Sequence, residues 1–411
     1  MLERLGAPSL GPVTRLLLRP DRFAAGGDAV ARDEDGRVVF VRGALPGETV
    51  EAEIVSEKKD WARASAVAIT VPSPDRVIPP CPSRRAGCGG CGWQHLTIDA
   101  QRLARVGIVT EALRRIGGVA DPEVAHDGGV TPTGYRTTVR VVGTSDGRAG
   151  FRSESSHDVV AAPACLIAHP LLATVLPQLR LDDGVEPTLR VSAATGELAA
   201  RWDRSQGDVH GLPEGTPVGS SVTLEEVVSG HRLRVSMGSF FQSGPTAAEA
   251  LVAAVQRAAP ELTMARLVVD AYAGIGMFAM CATAPSTRVI AIETSRSAVA
   301  DASHNLSDRD AQVVRGEVGG WHSPPDVEVD VVVADPARTG LGRPGVHALA
   351  RAKAPVLALV SCDPASLGRD AKLLAAAGYR HERSEVVDTF PHTTQVEAVT
   401  RFVRQRRAGY W

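Results

Sequence analysis

The feature that most constrains the fold is a short apolar run that recurs after Pro245, each time cut off by turn-forming residues. RLVVDAYAGIG, VIAIETS, VDVVVADPARTGLG and APVLALVSCDPASL all carry one. Within the runs apolar and polar residues do not alternate, so each predicts a strand buried on both faces, as in a parallel sheet. Helical spacing surrounds them. TAAEALVAAVQRAA precedes the first run, MFAMCA follows its glycine-rich turn, and SLGRDAKLLAAAG follows the last, with a stop at Gly378. This alternation predicts an open α/β sheet whose ligands lie off the carboxyl ends of the strands. DTFPHTTQVEAVTRFV closes the chain with two strand-like pieces around Glu397.

Chemistry-bearing residues fall at those strand ends. The glycine-rich turn with Gly274, and Glu293 some way after Asp270, form a dinucleotide-type layout: close backbone approach, then an acid for ribose hydroxyls. AYAGIG is not G-x-G-x-x-G, so a nicotinamide enzyme stays open from this piece alone. Asp335-Pro336 also ends a strand in methyltransferases that act on amino groups, but there an aromatic residue completes the motif, and here Arg338 stands nearby instead. Cys362 is placed at the end of the last run and near the start of a helix, where a thiol pKa is expected to fall. An amine needs no thiol to become nucleophilic, whereas a carbon such as uracil C5 does. A thiolate adds to C6 and turns the ring into an enolate, and a carboxylate later removes the C5 proton. Cys362 and the late acid Glu397 meet that requirement.

The 411 residues suffice for two or three domains, and 44% apolar with 22% charged residues is ordinary for a soluble globular protein. No apolar run is long enough for a bilayer and MLERLGAPSL lacks a signal-peptide core, which predicts a cytoplasmic protein without a membrane partner. The net charge of −2 restricts any nucleic-acid surface to a local patch. About Gly11 to Val71 reads as a small all-β module with a hairpin turn at Asp35-Gly36, a five-stranded barrel of the OB type. Lys58, Lys59, Trp61 and Arg63 give it charge and a stacking surface for RNA. After the linker PSPDRVIPP, Cys81, Cys88 and Cys91 are spaced C-x6-C-x2-C, and Cys165 in APACLIAHP supplies a fourth thiol. Four cysteines hold either zinc or an iron–sulfur cluster, and the glycines at 87, 89, 90 and 92 let backbone amides approach the sulfurs. Gln101 to Gly117 reads as a helix exposing Arg102, Arg105, Arg114 and Arg115, followed by strands carrying Arg136, Arg140 and Arg152. These arginines bracket the cysteines and suggest a phosphate-binding surface on an α+β insert.

SFFQ, DAYAGIG, the strand-end Glu293, DPAR, SCDP and QVE occur in one order along the chain. In that order, and from DGRVVFVRGALPGE to FPHTTQVEAV, the sequence resembles the TRAM-domain RNA uracil-5-methyltransferases. The resemblance implies a multidomain α/β protein. Its parts are an OB-like TRAM barrel that binds RNA (1–72), a central α+β iron–sulfur domain (73–243) and a Rossmann-like methyltransferase domain (244–411). It implies that Gln242, Tyr272, Glu293 and Asp335, with Gly274 in the turn, contact S-adenosylmethionine or place the uracil. Cys362 matches the nucleophile and Glu397 the base, and Cys81, Cys88, Cys91 and Cys165 match the ligands of a 4Fe–4S cluster. The implied substrate is 23S rRNA, with tRNA as the alternative, acted on by a monomer. A non-catalytic RNA-binding or assembly protein of the same fold is the other reading, and intact Cys362 and Glu397 speak against it. DPAR stands for the usual DPPR, SCDP for SCNP, QVE for HVE and C-x6-C for C-x5-C, and Met277 stands where relatives often carry Asn.

Overall fold

The structure, a computed structural model, describes residues 14–154, 156, 158–162, 164–323 and 327–405. The reading of MLERLGAPSL, the first residues of the barrel, parts of GFRSESSHDVV and Pro163 of APACLIAHP lie outside the described residues. The chain divides into two compact units, one running to Ile78 and including His95–Thr97, the other holding Pro79–Gln94 and everything from Ile98.

The first unit is a six-stranded sheet: β1 (Arg15–Leu18), β2 (Arg22–Phe23), β3 (Ala29–Arg32), β4 (Val38–Arg42), β5 (Thr49–Glu57) and β6 (Trp61–Val71). Their order is β1-β5-β6-β4-β3-β2, one strand more than the expected five because the two-residue β2 adds an edge. Alternate residues turn inward, and Val39, Val41, Val50, Ala52, Ala62 and Ala64 form the core with Leu18 and Ala29. The fully buried Glu48 accepts bonds from Leu45 N–H at 2.7 Å and from the Arg76 guanidinium at 2.7 Å.

The second unit is built on eight strands. They are β7 (Val124–Gly129), β8 (Leu267–Ala271), β9 (Arg288–Glu293), β10 (Ala311–Arg315), β11 (Val331–Ala334), β12 (Val356–Ser361), β13 (Tyr379–Asp388) and β14 (Ala398–Arg404). The order is β10-β9-β8-β11-β12-β14-β13-β7. From β10 to β12 neighbours are parallel, and β14 runs antiparallel between β12 and β13. Every residue of β8, β11 and β12 is buried, as their unbroken apolar runs require. β7, from the segment expected in a separate central domain, pairs in parallel with β13 at the sheet's edge. The Ile98–Arg115 helix likewise packs on the Pro364–Ala376 helix, closely enough that a side chain at Gly368 would strike the Ala112 carbonyl at 2.6 Å.

Among its described residues the second unit also holds four small antiparallel sheets, two of them three-stranded. One is Thr138–Arg140, Thr188–Val191 and Leu198–Arg201; the other is Val142–Gly143, Ala149–Arg152 and Val159–Ala161. Arg140 and Arg152, read as phosphate-binding, both pair with Glu186. Among the described residues no helix is long and apolar enough to cross a membrane.

Candidate active site

The sheet itself assembles the centre. Ser361 is opposite Ala398 in the antiparallel β12–β14 ladder, so the next residues outward, Cys362 and Glu397, flank the end of that ladder together. Opposed residues there stand about 5 Å apart at Cα. Asp335 follows Ala334, the last residue of the neighbouring parallel strand β11. Three strand ends thus bring a thiol and two carboxylates to one edge.

Burial sets their protonation. Glu397 is only 5% exposed, and loss of water, then the nearby charge of Asp335, raises its pKa well above the usual carboxylate range. Burial raises Asp335 as well. Burial first, then the charges of Glu397 and Asp335, push the Cys362 thiol up to about 11, against the opposing pull of Arg338. This reverses the expected fall. The Pro364–Ala376 helix does begin beside the thiol, but its cap is Asp363, whose carboxylate accepts the Ser366 amide at 2.7 Å and hydroxyl at 2.8 Å. The helix end is satisfied by its own cap, and the thiol faces carboxylates instead.

Gln242, 6% exposed, donates to Asp335 Oδ2 at 3.4 Å. Its segment is held from two sides. The Arg190 guanidinium donates to the Ser236 and Ser239 carbonyls at 2.8 and 2.9 Å. Asp301 accepts from Ser236 N–H at 2.9 Å and from Ser239 Oγ–H at 2.6 Å. Phe240, in the same SFFQ segment, is 72% exposed, an aromatic face that sequence reasoning passed over.

The crevice expected of such a sheet lies where chain order reverses, with β9 on one side of β8 and β11 on the other. After β8 the backbone turns sharply: Tyr272 has φ +62°, a strained value for a residue with a side chain. Gly274, at φ +55°, has open space where a Cβ would stand. Its N–H donates to Glu293 Oε2 at 3.0 Å, while Oε1 accepts from Thr294 and Ser295 N–H, both at 2.7 Å. Thr294 Oγ1–H adds a fourth bond to Oε1 at 3.2 Å, so Glu293 shapes the turn with all of its roughly four lone-pair sites engaged. Asp270, missed as a site residue, is fully buried. One of its oxygens accepts Ala279 N–H at 2.9 Å and the other has no partner, and burial pushes the group up to about 7. An open glycine turn, a braced acid and an unpartnered buried acceptor fit a nucleoside bearing an amino acid.

Cys81, Cys88 and Cys91 are buried and Cys165 is half-buried. Burial pushes Cys91 up to about 12, and the charges of Cys165, Cys88 and Cys81 add to that, so the four thiols share one neighbourhood. Backbone N–H groups face two of the sulfurs, Gly90 for Cys88 and Ile167 and Ala168 for Cys165. As placed, no group of three or more His, Cys, Asp or Glu side chains among the described residues is arranged to hold a metal ion. The backbone donors pull the Cys88 and Cys165 thiols down, against the larger effect of burial.

A family profile described as TRAM domain matches residues 20–67. An uncharacterized RNA methyltransferase of Streptomyces coelicolor is 35% identical, across 92% of this chain and 90% of the relative. A 23S rRNA (uracil(1939)-C(5))-methyltransferase RlmD of Shewanella piezotolerans is 28% identical, across 89% and 91%. The solved Pyrococcus abyssi tRNA (uracil-54, C5)-methyltransferase in complex with S-adenosyl-L-homocysteine shares the fold at a TM-score of 0.69 and 24% identity, covering 95% of this chain and all of that one. Fold and site together define a Rossmann-like methyltransferase with a TRAM domain. By its likeness to the Streptomyces protein along nearly the whole chain, it belongs to the RNA methyltransferase family.

Proposed function

We propose that the protein methylates C5 of uracil in RNA, using S-adenosylmethionine as donor. The observation that carries this reading is the placement of Cys362 and Glu397 on either side of the β12–β14 ladder end. The half-buried Cys362 thiol gives its proton to solvent, and its sulfur adds to C6 of a uracil flipped into the crevice. The C5=C6 electron pair then makes C5 the nucleophile. S-Adenosylmethionine, when bound, supplies the electrophilic methyl group. Glu397, which must be ionised at this point although burial favours its acid form, takes the C5 proton, the double bond re-forms and the Cys362 sulfur leaves as thiolate. Asp335 and Gln242 position the base, Phe240 offers a face for stacking, and Tyr272, Gly274 and Glu293 with Asp270 hold the donor.

Cys81, Cys88, Cys91 and Cys165 would hold a 4Fe–4S cluster in this reading, which four thiolates can ligate. Lys58 and Arg63, 5.9 and 5.8 Å from the Trp61 ring centre, make the TRAM face that grips RNA. We favour 23S rRNA, the substrate named for the Shewanella relative, acted on by a cytoplasmic monomer. Incubation with methyl-labelled donor and either 23S rRNA or tRNA, followed by digestion to nucleosides, should yield labelled 5-methyluridine from the rRNA. Label on another nucleoside, or on none, overturns the proposal.

A further inference from the structure

Glu397 ends a stretch without regular secondary structure, Thr389–Val396, that links β13 to β14. Val387 N–H donates to the Glu397 carbonyl at 3.0 Å, but the stretch before it has no ladder, so the path of the chain into Glu397 depends on what grips the loop. One side chain supplies three of the bonds to its carbonyls. Arg105, on the Ile98–Arg115 helix, is expected on the surface but is 1% exposed. Its Nε donates to the Gln395 carbonyl at 2.9 Å, and one terminal nitrogen donates to the Phe390 and Thr393 carbonyls at 3.1 and 2.8 Å. The other terminal nitrogen stands 3.2 Å from Asp388 Oδ1. A planar guanidinium spans the three carbonyls with Asp388 as an ion-pair neighbour, and an ammonium group does not.

The opposite side of the clamp is the cysteine segment. The Arg105 guanidinium lies 5.3 Å from the centre of the Trp93 ring. Trp93 N–H donates to the His392 carbonyl at 2.9 Å, and the Gln101 side chain joins the Trp93 carbonyl (3.1 Å) to His392 N–H (2.7 Å). Tyr135, packed with Cys91 and Cys165, donates its hydroxyl to the Pro391 carbonyl at 3.1 Å. At Gly92 a side chain would meet the Thr394 methyl at 2.9 Å. The loop that ends in Glu397 is thus bonded to the very residues that flank the cysteines.

We propose that Arg105 is a positioning residue for Glu397, and that it fixes the loop against the cysteine segment so that elimination from Cys362 can occur. The proposal rests on Glu397 being the base, so its test has one arm that does not involve catalysis. That arm is hydrogen exchange of the full-length, RNA-free protein. Arg105→Lys keeps the charge and loses the fork, and exchange across 389–397 should quicken roughly tenfold, the factor for about one net hydrogen bond, while β8 to β12 keep their protection. Tyr135→Phe, which removes one hydroxyl and keeps the ring, should show the same pattern more weakly, and it carries the test if Arg105→Lys does not fold. In the second arm, with RNA and donor, Arg105→Lys should accumulate methylated RNA bound to Cys362 severalfold over the parent, at unchanged donor affinity. Unchanged exchange at 389–397, or a rise spread over the whole sheet, overturns the proposal. Altered exchange at the loop with a fall in turnover but no extra adduct overturns the link to elimination.

Discussion

The raised thiol of Cys362 makes a quantitative prediction about its reactivity before any substrate binds. At about 11, the thiolate fraction at pH 8 is about 0.1%, against roughly 10% for a thiol near 9. A more basic thiolate is also the better nucleophile, by roughly six- to tenfold over two pKa units, so the net deficit in alkylation rate is about tenfold. The assay is iodoacetamide labelling of the unliganded protein from pH 7 to 11, with the Cys362 peptide quantified by mass spectrometry. Its rate should climb tenfold per pH unit up to about pH 11. Glu397→Gln removes one of the negative charges facing the sulfur and should move the midpoint down, so the variant lacking the base labels faster than the parent. The move is partial, because burial is the larger cause. A plateau below pH 8 would show that the helix terminus, not the carboxylates and burial, sets this thiol.

Three further outcomes follow from local contacts. Asp363→Ala removes the cap on the Pro364–Ala376 helix and should cost about 1 kcal/mol in chemical denaturation, whereas Asp363→Asn keeps the cap and should cost a few tenths at most. In the barrel, burial alone would raise Glu48, yet bonds from Arg76 and from the Leu45 and Ser73 amides outweigh it and hold the carboxyl below its usual range. A lowered folded-state pKa stabilises above the unfolded value and is lost as pH falls through the folded one, so the TRAM unit should weaken on acidification, and Glu48→Gln should remove about 2–3 kcal/mol at pH 7 and progressively less on acidification, read from melts across a pH series. Reversing the charges of Lys58, Lys59 and Arg63 together should weaken binding of long RNA and flatten its salt dependence without changing donor affinity, measured by filter binding across a salt series.

Where a residue's role depends on its own run of neighbours, the sequence is informative. Val331–Ala334 and Val356–Ser361 are buried throughout, and uninterrupted apolar runs already say so. The acid needed late in the chain is legible from chemistry alone, but its meeting with Cys362 depends on β14 entering antiparallel between β12 and β13. Val124–Gly129 reads VAHDGG, with nothing to mark a strand; it becomes one by pairing at an edge. Helical spacing puts Arg105 outside because its partners lie 285 to 290 residues further along. The thiol's pKa runs opposite to the local reading because burial, and then Glu397 and Asp335 from other strands, act on it, while local sequence shows only the helix start.

The central claim is that Cys362 bonds to the base and Glu397 releases it, and one gel tests it most directly. Glu397→Gln, incubated with RNA and S-adenosylmethionine, should give a denaturant-stable RNA–protein band in which the RNA already carries the methyl group, because addition and transfer proceed while C5 keeps its proton. Cys362→Ala should give no band and no methylation. Turnover by Cys362→Ala, or parental turnover by Glu397→Gln with no methylated adduct, would contradict the account.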